Sequence, residues 1–438
     1  MANIKPFKGI RPKAALAASI ASKPYDVLNE KEARQEAEGH PYSFYHVIKP
    51  EMDFPDDFDH YAPEVYEKGK HFFQSLYKDG IYFQDERECY YVYSQTMNGR
   101  KQYGIVGAAS VDDYLNDVIK KHELTRPDKE EDRKKHVRIS KLNYEPVFFA
   151  YPKSVELDQL VEKAITASPV YDFTADDGIG HTFWVVDDAA TVEAIRVAFQ
   201  KVPAVYVADG HHRTAAAALV GNERRTANPN HNGSEEYNYF LAVHFPDDQL
   251  AIMDYNRVVK DLNGHSDDAF LKALANGFTV EKADQSPYRP AQLHEFGIYM
   301  GGQWYKLTAK KSAYTNNPVD VLDVSILQEK ILSPLLGIDD PRTDKRIDFI
   351  EGTKGIQALE KKVNKGAMAG ILESSEGDES EYSIPFDQAQ IYYADEKPEP
   401  IQFDDTIKES LHPLVKMSLH ALAIGSGFSY QLLTSDLE

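Results

Sequence analysis

The segment Asp209-Gly210-His211-His212-Arg213 gathers an acid, a glycine, two imidazoles and a guanidinium in consecutive positions. Together those types describe anion chemistry. A helix starting at His211 would turn its first backbone N–H groups, and the positive end of its dipole, toward whatever lies ahead of it. Gly210 would let a phosphate approach the backbone with no side chain in between. Arg213 could take phosphate oxygens in a bidentate fork, while His211 and His212 could donate or relay protons near neutral pH. Asp209 could hold Mg2+ or orient an imidazole. A lone Asp-Gly would read as a helix cap with solvated neighbours. The apolar run Val202–Ala208 directly before this one weighs for a site.

A second group is His122-Glu123, followed by Thr125 and Arg126, inside the charged stretch Val111–Lys141 that Pro127 interrupts. Taken alone, Glu123 is one more acid on a solvated face, and it matters only if it faces the phosphate turn. Spacing argues against zinc hydrolysis. His211 and His212 are adjacent and cannot share a helix face, and no His-Glu-x-x-His occurs among the 15 histidines. Cys89 is the only cysteine, so intrachain disulfides and cysteine-rich zinc sites are impossible. Its setting, Glu88 to Tyr93, predicts a buried strand thiol.

Around the turn, Val202–Ala208 reads as a short buried strand. His211 to Val220 reads as a helix, alanine-rich from Ala215 to Ala218 and stopped at Gly221. Upstream, helices are expected over Leu28–Glu38, Tyr61–Lys78 (ended by Asp79-Gly80) and Val155–Ala167. Strands are expected over Cys89–Tyr93, Gln102–Ala109, Glu145–Tyr151 and Thr182–Val186, with Asn98-Gly99 as a hairpin turn. Downstream, Tyr239–Phe245 and Leu250–Tyr255 form an expected hairpin around Pro246-Asp247-Asp248. Strands over Phe296–Met300 and Trp304–Leu307, a helix over Val319–Leu332 and a polar loop at Ser374–Glu381 follow. No internal repeat and no long low-complexity linker is present.

A chain of 438 residues, 42% hydrophobic and 27% charged, has the composition of a folded soluble protein of two or three domains. Its net charge of −21 argues against wrapping nucleic acid, though a pocket can be locally basic on an acidic protein. The opening residues hold no signal-peptide pattern, and Ala14–Ala18 is too short to span a membrane. The expectation is a cytoplasmic protein with neither nucleic acid nor membrane as partner.

Beyond the turn, several stretches share a pattern. These are Gly9-Ile10-Arg11-Pro12, Pro24-Tyr25-Asp26-Val27, Ser43-Phe44-Tyr45-His46-Val47, Pro50-Glu51, His122-Glu123-Leu124-Thr125 with Asp132-Arg133, and Tyr255-Asn256-Arg257-Val258-Val259. With Asp209–Arg213 they resemble an uncharacterised bacterial and archaeal family related to free-serine kinases of the ParB/sulfiredoxin-like superfamily, from about residue 5 to 370. The family's closing Met-Pro-x-Lys-Ser segment is missing, and Lys416-Met417-Ser418 is its nearest remnant.

The resemblance implies an α/β (α+β) fold with a ParB/sulfiredoxin-like core. The expected organisation is an N-terminal α/β region at 1–100, the core at 101–235 with an insertion at about 140–200, and a C-terminal α/β region at 236–438. It implies a phosphotransferase acting on serine or phosphoserine, with Mg2+ and with ATP or ADP as donor. Glu123 would be the general base, and Asp209, Gly210, His211, His212 and Arg213 the phosphate cradle. His122, Thr125, Arg126, Arg257, Asp26 and Arg11 would be substrate or phosphate ligands, and Asp209 a metal ligand. A phosphoserine phosphatase using the same site, a non-catalytic nucleotide or amino-acid sensor, and a homodimer all stay open. A ParB-like DNA clamp lacks its basic module here, and a sulfiredoxin-like repair enzyme lacks its cysteine beside the turn.

Overall fold

The computed structural model describes residues 1–121, 127–250, 255–315, 317, 320–341, 344–351 and 355–373. His122, Glu123, Thr125, Arg126, the Ser374–Glu381 loop and Lys416-Met417-Ser418 lie outside them. The chain divides into two compact units, one over Met1–Leu250 and the other beginning at Ala251. Both mix helices and sheet, as the α/β (α+β) expectation has it. Among the described residues no helix is long and apolar enough to cross a membrane.

The first unit's strands are β1 (Ile4–Lys5), β2 (Ile10–Pro12), β3 (Tyr82–Gln84), β4 (Tyr90–Met97), β5 (Arg100–Ser110), β6 (Ile119–Lys120), β7 (Val147–Tyr151), β8 (Tyr171–Thr174), β9 (Gly180–Val186), β10 (Val205–Asp209) and β11 (Tyr239–Pro246). Apart from the β2–β3 ribbon they make one sheet, in the order β6-β10-β7-β11-β5-β4-β9-β8, with β1 added beside β5. The pairs β6–β10 and β7–β11 are parallel and the others antiparallel. Alternation along β7 sorts its residues. Val147, Phe149 and Tyr151 join the main apolar core with Val205 and Val207, leaving Phe148 on the opposite face.

Local chemistry sets the boundaries. Asn98 and Gly99 both have positive φ, 52° and 83°, as a two-residue hairpin between β4 and β5 requires. The helix Glu30–Ala37 opens on a capping box between Asn29 and Glu32. Pro63–Lys78 begins with proline, and Gly80 (φ 68°) follows its end. Cys89 is buried, and burial, its foremost cause, raises its thiol to about 11, an inert core thiol.

Two expectations are corrected here. The helix after the turn does not stop at Gly221 but runs from His211 to Ala227. That glycine serves packing: a Cβ there would run into the Tyr237 carbonyl. Nor is Tyr239–Phe245 an arm of the hairpin expected with Leu250–Tyr255, of which Ala251–Asp254 lie outside the described residues. β11 pairs with β5 and β7, and the next strand belongs to the second unit.

That unit holds β12 (Tyr255–Val259), β13 (Phe278–Lys282), β14 (Glu295–Met300), β15 (Gln303–Ala309), β16 (Ile347–Glu351) and β17 (Ala369–Glu373). They form an antiparallel sheet in the order β13-β15-β14-β17-β12-β16. The helices Asp267–Leu274 and Asp323–Leu327 contribute to one apolar core, and Ile356–Asn364 to another. The helix expected up to Leu332 is α-helical only over Asp323–Leu327 and continues as a π turn over Gln328–Leu332.

Candidate functional site at the Asp209–Arg213 turn

The turn is built by a strand that breaks register. β10 pairs with β7 regularly through Val207, then slips so that Asp209 faces Phe148. The bulge at Ala208 re-aims the strand end, as bulges beside sites do. Gly210 follows in the left-handed conformation (φ 84°, ψ 36°) and caps the helix His211–Ala227. Its carbonyl accepts the Thr214 N–H at 2.8 Å and the Thr214 hydroxyl at 2.9 Å. The first helical N–H groups therefore emerge from the end of a sheet strand, with a full-length helix dipole behind them.

Arg213 does not reach outward. Its guanidinium folds back beneath Gly210, so close that a Cβ on that glycine would meet three of its atoms at 3.2 Å. One nitrogen donates to Asp209 at 2.8 Å and another to the Pro146 carbonyl at 2.9 Å. Nε is buried without a hydrogen-bond partner among the described residues. The side chain is 8% exposed. Burial works against its charge, but the carboxylates of Asp209, Glu145 and Asp26 outweigh that and raise it far above the ordinary range. Arg213 is a fixed buried cation under the turn. His211 is buried and His212 half-buried.

A second arginine stands nearby. Arg133, in the helix Pro127–Ser140, bonds Asp132 at 2.7 and 3.0 Å and lies 3.8 Å over the Tyr25 ring. Asp132 also accepts the Tyr66 hydroxyl at 2.6 Å. Against its burial, Arg133 and Tyr66 hold its carboxyl below the usual range. Tyr25 is gripped at both backbone ends: its N–H donates to Glu145 at 3.0 Å and its carbonyl accepts Lys49 Nζ at 3.2 Å. That clamp presents Asp26, which is exposed and whose charge bears on Arg213, Glu145 and Tyr25. Burial raises the Glu145 carboxyl, although Arg213 and Arg133 pull it down. A cleft beside the turn is lined by Asp209, Arg213, Pro24 and Pro146 with the sheet residues Tyr93, Gln95, Val106, Phe148, Val243 and Phe245.

The structure thus brings Asp26 into the electrostatic reach of Asp209–Arg213. Arg11 is committed elsewhere: it pairs with Asp85 at 2.8 Å, donates to the Tyr171 hydroxyl at 3.2 Å and stacks over Phe83. Arg257 is a buried residue of β12 in the second unit. Sequence reasoning missed Glu145, Lys49 and the Tyr25 clamp. The only local signal was an acid directly before the apolar strand β7. Among the described residues no group of three or more histidine, cysteine or carboxylate side chains could hold a metal ion. Asp209 offers one carboxylate, itself bonded to Arg213. That fits Mg2+ only as an ion carried chiefly by a ligand's phosphates.

No curated protein matches the chain in sequence. Among solved structures it is similar to SbnI with a C-terminal truncation from Staphylococcus aureus, at 11% identity over 61% of this chain and 71% of that one, TM-score 0.30. It is similar to a mutant free serine kinase in complex with AMP, at 12% identity over 62% and 77%, TM-score 0.28. A conserved hypothetical protein from Pyrococcus furiosus matches at 11% identity over 62% and 79%, TM-score 0.27. Likenesses this distant carry no argument about activity. A family model does match, over residues 4–325, so the chain belongs to the family described as protein of unknown function DUF1015.

Proposed function

We propose that the chain is a phosphotransferase acting on a small hydroxyl amino acid, free serine first, with ATP or ADP as phosphate donor. The observation that carries this reading is the turn. A bulged strand, a left-handed glycine and a long helix N-terminus stand over a buried arginine whose Nε has no hydrogen-bond partner among the described residues. Backbone N–H groups bind phosphate at such a terminus, and a fixed cation beneath them stabilises charge that grows on the transferring group without having to move.

In this reading the serine hydroxyl oxygen attacks the donor's terminal phosphorus. The bond from that phosphorus to the bridging oxygen breaks, and the departing nucleotide keeps the electron pair. Glu123 accepts the hydroxyl proton. The helix that follows Glu123 in sequence, Pro127–Ser140, packs on the helix that follows the turn. Asp26, exposed at the end of its clamp, binds the substrate ammonium, and His211 and His212 donate to phosphate oxygens. Mg2+ supplies charge neutralisation on the phosphates when bound. Arg11 acts by holding its own element through Asp85 and Tyr171.

The test is phosphoserine formation from serine with ATP or with ADP, and phosphate release from phosphoserine alone, each with Mg2+. Turnover that disappears in Glu123→Gln and falls sharply in Arg213→Ala is the expected result. Release from phosphoserine without synthesis would make the protein a phosphatase of the same site. Binding of nucleotide or phosphoserine with no turnover in any mixture would overturn the enzyme reading in favour of a sensor.

A further inference from the structure

We propose that Glu145 is a positioning residue of this site, one carboxylate that ties together the Tyr25–Asp26 segment, the Pro127–Ser140 helix and the Asp209–Arg213 turn. The inference rests on the phosphotransferase reading for its kinetic consequence, but its structural core stands alone. Glu145 is 8% exposed, and among the described residues its carboxylate takes one hydrogen bond, from the Tyr25 N–H at 3.0 Å. The next residue, Pro146, takes Arg213 on its carbonyl at 2.9 Å. Short backbone therefore links the clamp on Tyr25 to the cation under the turn. Across from it, Arg133 covers the Tyr25 ring.

Holding one N–H does not require a charge; a carbonyl or an amide would do it with a smaller desolvation cost. Both arginines already have carboxylate partners of their own, Asp132 and Asp209. What the Glu145 charge adds is a counter-charge shared by the two, since both Arg213 and Arg133 act on it. The charged and titratable groups facing it are Arg213, Arg133, Asp26 and Tyr25. Losing that shared charge loosens Asp26 and Arg213 together. A site held to within a fraction of an ångström loses rate when its parts drift.

Two variants separate the parts of this role. Glu145→Gln keeps an acceptor for the Tyr25 N–H and removes the charge; Glu145→Ala removes both. In Glu145→Ala, amide exchange measured by mass spectrometry is expected to quicken in peptides covering Tyr25–Asp26 and also in those covering Asp209–Thr214. A merely local role would quicken the first alone. In Glu145→Gln, kcat/KM for serine is expected to fall by about tenfold above neutral pH and to converge on wild type as falling pH protonates Glu145. A deficit independent of pH, or exchange and turnover equal to wild type, would overturn the proposal. Should the wild type not phosphorylate serine at all, the functional reading fails and the exchange comparison alone decides Glu145. Should Glu145→Ala not fold, wild type against Glu145→Gln across pH decides it by exchange in the Asp209–Thr214 peptides.

Discussion

Two buried glutamates, one in each unit, stand in opposite surroundings. Glu295 in β14 is 1% exposed and accepts from Tyr288, the Ala291 N–H, Gln292 and Lys306. Although burial works against it, Lys306, Gln292 and Ala291 bring its carboxyl below the usual range. Among the described residues Glu145 has one donor and two arginines at a distance, and burial keeps its carboxyl raised. The first is satisfied and serves the fold. The second holds a charge that its surroundings only partly answer, the pattern expected where charge is kept for positioning or chemistry.

Acid should divide the two regions most strongly. His136, His181 and His244 in the first unit are kept neutral by burial, depressed to about 3, about 3 and about 4. Their unfolded forms protonate near the ordinary value of about 6.5. Below that, the unfolded chain binds protons that the native one refuses, so stability falls with falling pH toward the native values. First-unit peptides are expected to lose exchange protection between about pH 6 and 4 before second-unit peptides do. His136→Phe should flatten that slope; equal loss in both units would break the contrast.

Arg213→Ala comes next. It removes the Arg213 bonds to Asp209 and the Pro146 carbonyl, at a cost of about 3 kcal/mol in urea unfolding. Phosphoserine formation should fall by about a hundredfold or more. Glu295→Ala should cost a similar stability, about 3 kcal/mol, with kcat/KM unchanged. A kinetic effect there would dissolve the distinction between the two glutamates. Gly221→Ala should destabilise by about 2 kcal/mol through its clash with the Tyr237 carbonyl, measured by the same unfolding curves. The smallest effect belongs to the exposed pair Lys153–Asp248, where Lys153→Ala should stay within about 1 kcal/mol of wild type.

What could be read from the sequence was local. Asn98-Gly99, the Asp79-Gly80 stop after Pro63–Lys78, and the apolar run before Asp209-Gly210 all act within one turn of themselves, and the elements follow them. What could not be read depends on residues far apart in the chain. Arg11 was singled out by the Gly9–Pro12 resemblance, and its partner Asp85, 74 positions away, could not be read beside it. Glu145 looked like an ordinary strand flank because Tyr25, 120 positions upstream, supplies its meaning. Gly221 looked like a stop because glycine ends helices, whereas its reason is the approach of Tyr237. Arg213 looked like an outward fork, and only the fold-back under Gly210 shows that its two terminal nitrogens are spent on Asp209 and Pro146.

The strand order also governs biosynthesis. β11 lies between β7 and β5 and, among the described residues, is the last strand of its sheet to leave the ribosome. Until Pro246 emerges, the nascent chain carries two half-sheets. One holds the turn on β10, and the other holds the β5 and β4 walls of the cleft. The cleft residues Val243 and Phe245 arrive with the strand that joins them. Such long-range pairing is slow to form, and until it forms the open edges of β5 and β7 are exposed to other chains. Truncation before residue 239 should therefore yield an aggregating fragment that has the turn but not the completed cleft.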